Sequence, residues 1–379
     1  MTISARQAAK PTTPPAPVDA NPVVPIKAWA VFGGVCVVFI VFIWGKWLLG
    51  PYTQTVPSGP SDPPTWMKSV LIGGQIVVFS AALGAVYWLL IRPWRRERRL
   101  TTDGILCVAF FFCVFQDPLT NWFSPWITYN SYLVNFGSWT HDIPGWLSFA
   151  KPGAQAPEPV LWPFLYICVW AAFTPMGCYA MRRAKQRWPR LGPYRLIGVA
   201  FVVVAVLDFV LEGLVFMPLG FWTYAGAPLP IIFPNSYNAF PLHEMIFIGA
   251  MGAGFCALRY YKNDRGLTLV ERGAEKLVSP RRQNAYRLLA VIGATQLIFL
   301  LGFTIPVALI GAHARQWPAD VQKRSYFTDH LCGAGTDVAC PGPSVPLPRR
   351  EHSARLGPDG KLVVPDGTTL PTLIPFDHH

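Results

Sequence analysis

The apolar positions of this 379-residue chain fall in long unbroken runs, not in the short alternations of a soluble strand or the stripes of a surface helix. A run of about 20 apolar residues is long enough for a helix to cross the hydrocarbon core of a bilayer. Seven such runs stand out, roughly Ala28–Leu49, Val70–Ile91, Gly104–Trp122, Val160–Met181, Leu196–Leu219, Leu242–Tyr260 and Leu288–Ala312. They predict an all-α, polytopic membrane bundle of about seven transmembrane helices. The third run is the least regular, because Gln116-Asp117-Pro118 interrupts its outer end. Residues 1–27 are rich in Pro and Ala and are expected to be a disordered cytoplasmic segment. They lack the short apolar core and cleavage site of a secretory signal, so the first run reads as a retained helix. The domain plan is then a seven-helix unit over 28–312 with a long outer loop at 116–159, followed by an extracytoplasmic tail at 313–379.

Composition supports this reading. Hydrophobic residues make up 52% of the chain and charged residues only 14%, against about 25% charged in soluble domains. The net charge of +12 would point to nucleic acid in a soluble protein. Here the basic residues sit in short loops, where they set orientation. Arg92, Arg95, Arg96, Arg98 and Arg99 follow the second run, and Arg182, Arg183, Lys185, Arg187, Arg190 and Arg195 follow the fourth. Arg259, Lys262, Arg265, Arg272, Lys276, Arg281, Arg282 and Arg287 follow the sixth, against Lys68 and Lys151 alone in the three opposite loops. The positive-inside rule places the N-terminus in the cytoplasm and the C-terminus outside, in a multi-pass protein of the cell membrane. Membrane lipids are therefore expected neighbours, and nucleic acid is not an expected partner. Six cysteines lie in the apolar runs as packing residues, whereas Cys332 and Cys340 stand in the outer tail, where a local disulfide is expected.

Ionisable residues inside a bilayer are costly and are candidates for function. The fifth run carries Asp208 and Glu212, four residues apart and so on one helical face, with no Lys or Arg nearby on that helix. Two carboxyls so placed cannot both ionise cheaply, and a carboxylic acid kept neutral is a usable general acid. The alternative is a structural hydrogen-bonded bridge between helices. The sixth run opens Pro241-Leu242-His243-Glu244, so His243 and Glu244 fall in a first helical turn. There a carboxylate is also favoured by the helix dipole alone. Asp208 and Glu212 are the expected acid–base pair, with Asp117, His243 and Glu244 to tune or orient them, and these five residues are the catalytic candidates.

The long outer loop is dense in amides, hydroxyls and aromatics but nearly free of Lys. Asn121, Tyr129, Asn130, Tyr132, Asn135, Trp139 and His141, with Trp222, Tyr224 and Asn238 from a later loop, are expected to line a site for an apolar, oxygenated molecule. An interfacial aromatic belt is the simpler explanation of the same composition. No HxxH, HExxH or CxxC spacing and no nucleotide or haem motif appears, so no cofactor and no metal is expected.

The stretch Gln116-Asp117-Pro118, Asn121, Tyr129-Asn130-Ser131-Tyr132, Asn135, Gly137-Ser138-Trp139 and Ile143-Pro144-Gly145-Trp146 resembles the avermectin spirocyclase (AveC-like) family of integral membrane proteins. Asp208 to Gly213 and Phe240-Pro241-Leu242-His243-Glu244 fit the same resemblance, which spans about residues 28–312. It implies a cyclase or isomerase, spirocyclase- or dehydratase-like, acting on a hydrophobic oxygenated lipid or polyketide by cofactor-free acid–base chemistry. A weaker resemblance links Pro241 to Glu244 to the Pro-x-Glu-Glu helix start of small membrane lycopene cyclases, although His243 replaces the first acid. The rival expectation is a transporter or lipid-handling subunit of a membrane complex that uses the same carboxylates as a proton relay or as structural polar contacts, and a third is a non-catalytic partner of a larger membrane complex that docks through its C-terminal tail.

Overall fold

A computed structural model describes residues 24–146, 156–341, 355–356, 359 and 361–364. The expected segment 1–27 lies outside these up to residue 23, as do Lys151 and most of 342–379. Among the described residues, seven long helices form the bundle. They are α1 (Val24–Leu49), α2 (Thr65–Val86), α3 (Thr102–Cys113), α4 (Trp162–Arg187), α5 (Pro193–Asp208), α6 (Leu242–Tyr260) and α7 (Pro280–Phe299). Residues 24–27, expected to be disordered, are the first turn of α1, a position that accepts Pro25 without a lost hydrogen bond. Proline likewise opens α4, α5 and α7, and the Thr101 hydroxyl caps α3 by accepting from the Gly104 amide at 3.1 Å.

Four helices change their winding toward one end. The ends of α2, α5 and α7 continue as π-helical segments at Tyr87–Ile91, Phe209–Phe216 and Leu300–Thr304, and α7 then resumes as Ile305–Gly311. The last turns of α3 tighten into a 3-10 helix, Val114–Asn121, where Pro118 supplies no amide hydrogen. With these extensions, six helices among the described residues are long and apolar enough to cross a membrane. The helix α6 forms where a span is expected but is not one of the six.

The core is organised around α3, the most enclosed of the six. Its neighbours are α4 and α7, while α5 and α6 pack as a pair against α4. The helix α1 lies on α7 through two glycines. A Cβ on Gly33 would sit 1.8 Å from the Leu289 carbonyl oxygen, and one on Gly293 would sit 2.9 Å from the Gly33 amide nitrogen. Backbones approach this closely only over glycine, the usual device where apolar helices meet in lipid.

The arginine-rich end is pinned by two ion pairs. Arg259 grips Asp103 with two bonds of 2.7 and 2.8 Å, and Arg287 donates to the buried Glu271 at 2.8 Å and to the Leu100 carbonyl at 2.9 Å. At the opposite end the loops fold into a cap. The strand β1 (Thr128–Tyr129) pairs antiparallel with β2 (Trp222–Thr223), and β3 (Ile231–Ile232) pairs with β4 (Phe240–Pro241). The segment after α7 does not trail away. Its Tyr326 carbonyl accepts from the Ser131 amide at 2.9 Å, and Trp317, Tyr326, Phe327 and Leu331 are buried in the cap. Cys332 and Cys340 are joined by a disulfide within this segment.

Candidate active site

Part of the lining of the cavity that holds the carboxyls comes from the irregular ends of α3, α5 and α7. A bilayer tolerates such backbone only where it is buried in protein or lines a cavity. The cavity has a volume of about 110 Å³ and lies beneath the cap. Asp117 reaches it from the 3-10 end of α3, Asp208 from the last residue of α5, Glu212 from the π-helical extension, and Glu244 from the first turn of α6. Four sequence-predicted carboxyls therefore share one chamber. No Lys or Arg among the described residues lines it, and much of the wall is apolar, including Leu165, Val169, Phe216, Met251 and Phe303.

Each of two carboxyls is held by aromatic donors. Glu212 Oε1 accepts from Trp222 Nε1 at 2.8 Å and from the Tyr224 hydroxyl. Asp117 Oδ2 accepts from Trp162 Nε1 at 3.0 Å and from the Tyr129 hydroxyl, while Oδ1 accepts from the Tyr166 hydroxyl. The cap supplies three of these donors because β1 and β2 pair with Tyr129 opposite Trp222. Burial, followed by the neighbouring Glu212 carboxylate, pushes the Tyr224 hydroxyl well above its usual pKa, which keeps it a donor.

Other carboxyls are less fully bonded. Asp208 lines the same cavity as Glu212, and its Oδ2 is buried without a hydrogen-bond partner among the described residues. Glu158 is buried, and among the described residues neither of its carboxyl oxygens has a hydrogen-bond partner. Glu244 is 1% exposed, shares the Tyr224 hydroxyl and leaves Oε2 without a partner.

The other candidate residues have different places. His243 lies outside the cavity wall with its ring 5.8 Å from that of Trp126 and Nε2 unpartnered. The amides of Asn121, Asn130 and Asn135 bind backbone groups of the cap: Asn121 Oδ1 accepts from the Trp126 and Ile127 amides at 3.0 Å each. Asn130 Nδ2 donates to the Gly220 carbonyl at 2.8 Å, and Asn135 Nδ2 to the Val56 carbonyl at 3.2 Å. Tyr132 faces the Lys68 ammonium, and Asn238 binds Ser236 within its own loop. Trp139 packs on Trp44 and Trp47 of α1 and donates to the Phe115 carbonyl at 3.2 Å. His141 stands against the Tyr52 ring at 4.0 Å, and partial burial lowers its pKa from the usual imidazole value. Of the ten expected substrate contacts, Tyr129, Trp222 and Tyr224 line the cavity. Among the described residues, no cluster of three or more His, Cys, Asp or Glu side chains is placed to hold a metal ion.

Sequence reasoning missed Glu158, Trp162 and Tyr166. Trp162 and Tyr166 are four residues apart on α4 and begin a stripe, with Val169, Trp170 and Phe173, that faces the cavity. That helical spacing was the available signal.

Comparison with known proteins follows this geometry. The profile of the AveC-like spirocyclases matches residues 97–327, more than half of the chain. The chain belongs to the AveC-like spirocyclase family. The match takes in every cavity carboxyl and also the cap segment through Phe327, beyond the 312 at which the sequence resemblance ended. No curated protein and no solved structure matches the chain.

Proposed function

We propose that this AveC-like protein is a membrane-embedded cyclase or isomerase that works by acid–base chemistry on a hydrophobic, oxygenated substrate. The observation that carries the reading is the Asp208–Glu212 carboxyl pair, brought to one largely apolar cavity that no Lys or Arg among the described residues lines. Glu212, fixed by two donors, is the proton acceptor, and Asp208, with one oxygen undonated, is the proton donor. In ring closure of a hydroxy-ketone, Asp208 gives its proton to the carbonyl oxygen while the hydroxyl oxygen bonds to the carbonyl carbon. The hydroxyl proton passes to Glu212, so the pair returns to its starting charge with its proton moved by one residue.

A cavity of about 110 Å³ is smaller than the roughly 300–1,000 Å³ of sites that enclose a drug-sized ligand. It accommodates the reacting segment of a long substrate, whose remainder stays in the bilayer or the cap. The cap end faces outward and all seven helices span in this reading, on the strength of the loop charges. Conversion of a hydroxy-ketone by the purified protein, lost in Asp208→Asn and Glu212→Gln, tests it.

A further inference from the structure

A second cavity lies in the cap. Its volume is about 520 Å³, within the roughly 300–1,000 Å³ of sites that enclose a drug-sized ligand. Its floor includes the buried residues Tyr224, Ala227, Ala239 and Trp317, and its rim the exposed Asn235 and Arg315. Tyr224 lines the carboxyl cavity as well, so the two spaces adjoin at that residue. The wall that carries Trp317 is held by backbone. Its amide donates to the Pro341 carbonyl at 3.2 Å, and its carbonyl accepts from Gln322 Nε2 at 2.7 Å. The Gln322 carbonyl in turn accepts from the Ala334 amide at 3.3 Å, within the loop closed by Cys332 and Cys340. Gly226 lets the walls meet, since a Cβ there would lie 3.0 Å from the Arg315 carbonyl oxygen and 3.3 Å from Trp317 Nε1.

Two observations say what this pocket takes. Trp317 is 1% exposed, yet its indole Nε1 has no hydrogen-bond partner among the described residues. A buried donor left unpaired is costly, and an acceptor oxygen on a ligand would satisfy it. The second observation is a contrast of charge. The inner cavity is lined by Asp117, Asp208, Glu212 and Glu244 and, among the described residues, by no Lys or Arg. The cap pocket is lined by Arg315 and, among the described residues, by no Asp or Glu.

We propose that the cap pocket is a second binding site, which takes a carboxylate at the end of the substrate remote from the reacting carbon. This deepens the acid–base reading and rests on it. Trp317 Nε1 donates to a carboxylate oxygen, and the Arg315 guanidinium pairs with the same group at the rim. The contrast of charge then sets the direction of binding. A carboxylate pushed into the inner cavity would meet four carboxyls and no cation, at a high cost in an apolar space. The apolar, ketone-bearing end therefore goes in, past Tyr224, and the charged end stays in the cap. An inner cavity too small for a whole substrate and a larger pocket adjoining it divide one ligand between them.

The test uses the full-length protein in an uncharged detergent and two synthetic hydroxy-ketones with the same flexible alkyl chain, one ending in a carboxylate and the other in a methyl group. Wild type should prefer the carboxylate-ended ketone in kcat/KM by about tenfold or more, mostly through KM. Trp317→Phe, which keeps an aromatic ring and removes the N–H, should cut that preference about tenfold, the reach of a buried hydrogen bond to a charged group. Arg315→Gln, at an exposed position that folding does not depend on, should cut it about fivefold, the reach of an exposed ion pair. No preference in wild type, or a preference unchanged by Arg315→Gln and by a folded Trp317→Phe, overturns the proposal. If wild type converts neither ketone, the acid–base reading fails, and calorimetric binding decides the pocket by itself. Tighter binding of the carboxylate-ended ketone by wild type than by Arg315→Gln supports the site, and equal binding overturns it.

Discussion

Trp162 and Trp222 meet edge to face with ring centroids 5.3 Å apart, and each donates its indole N–H to a different carboxyl, Asp117 and Glu212 respectively. One residue comes from α4 and the other from the cap strand β2. The contact thus couples the two carboxyls to the seating of the cap on the bundle. Loosening either ring moves a donor away from a buried acid, which links the stability of the cap to the chemistry below it.

Replacing Trp222 with Phe keeps most of the ring contact and removes the donor. The loss of a hydrogen bond to a buried charged group costs about 1–3 kcal/mol, so Trp222→Phe should lower thermal stability and turnover together. Tyr224→Phe should behave alike, since it removes the other donor to Glu212 Oε1. A melt and a rate assay on each variant check this; unchanged values in both would show that the donors do not hold Glu212.

The crossing of α1 on α7 offers a test of packing remote from the cavity. Gly33→Ala would bring a methyl within 1.8 Å of a backbone oxygen, so the helices must separate. Overpacking in a tight contact typically costs about 1–3 kcal/mol, and backbone that cannot yield puts this site at the upper end. Gly45→Ala, where nothing lies within 4 Å, is the matched control and should be neutral. Thermal unfolding in detergent separates the two.

The raised pKa of Glu158 sets the sign of a pH effect. From the ordinary carboxyl value of 4.5 upward, the folded state keeps a proton that the unfolded chain releases. Stability therefore falls as pH rises toward the elevated folded value. Asp329, pushed in the same direction by burial, adds to the same slope. Melting temperatures compared at about pH 5 and about pH 8 should decline in wild type and decline less in Glu158→Gln, which has no carboxyl to ionise. A steeper decline in the variant would contradict the assignment.

Orientation is checked by reporter fusions at Arg187, the last residue of α4 at the arginine-rich end, and at Pro341, at the end of the described cap. They should report opposite sides of the membrane, cytoplasmic for the first. Matching sides would overturn the proposed topology.

Much of the bundle was legible because membrane helices are written in hydrophobicity alone. The exception is α6, where His243, Glu244 and Arg259 within 19 residues dilute the apolar run, and this helix is not among the six long, apolar ones. Asp208 and Glu212 were legible from their spacing, although the backbone between them switches from α- to π-winding. The cap was harder to read. Amides in a polar loop look like ligand contacts, yet Asn121, Asn130 and Asn135 are consumed by the backbone groups that an irregular buried segment must satisfy. Glu158 could not be read at all: it lies between two prolines, and only the folded cap buries it.

Product formation by Asp208→Asn and Glu212→Gln tests the central claim most directly. Both amides preserve size, and the side-chain carbonyl left by Glu212→Gln can still accept from Trp222 and Tyr224, so the variants should fold and insert. Each removes a carboxyl that must give or take a proton. The account predicts a fall in product of about 10²–10⁴-fold in each, the usual contribution of a positioned general acid or base. Near-wild-type product from both would contradict it and leave the pair as a structural bridge between polar groups.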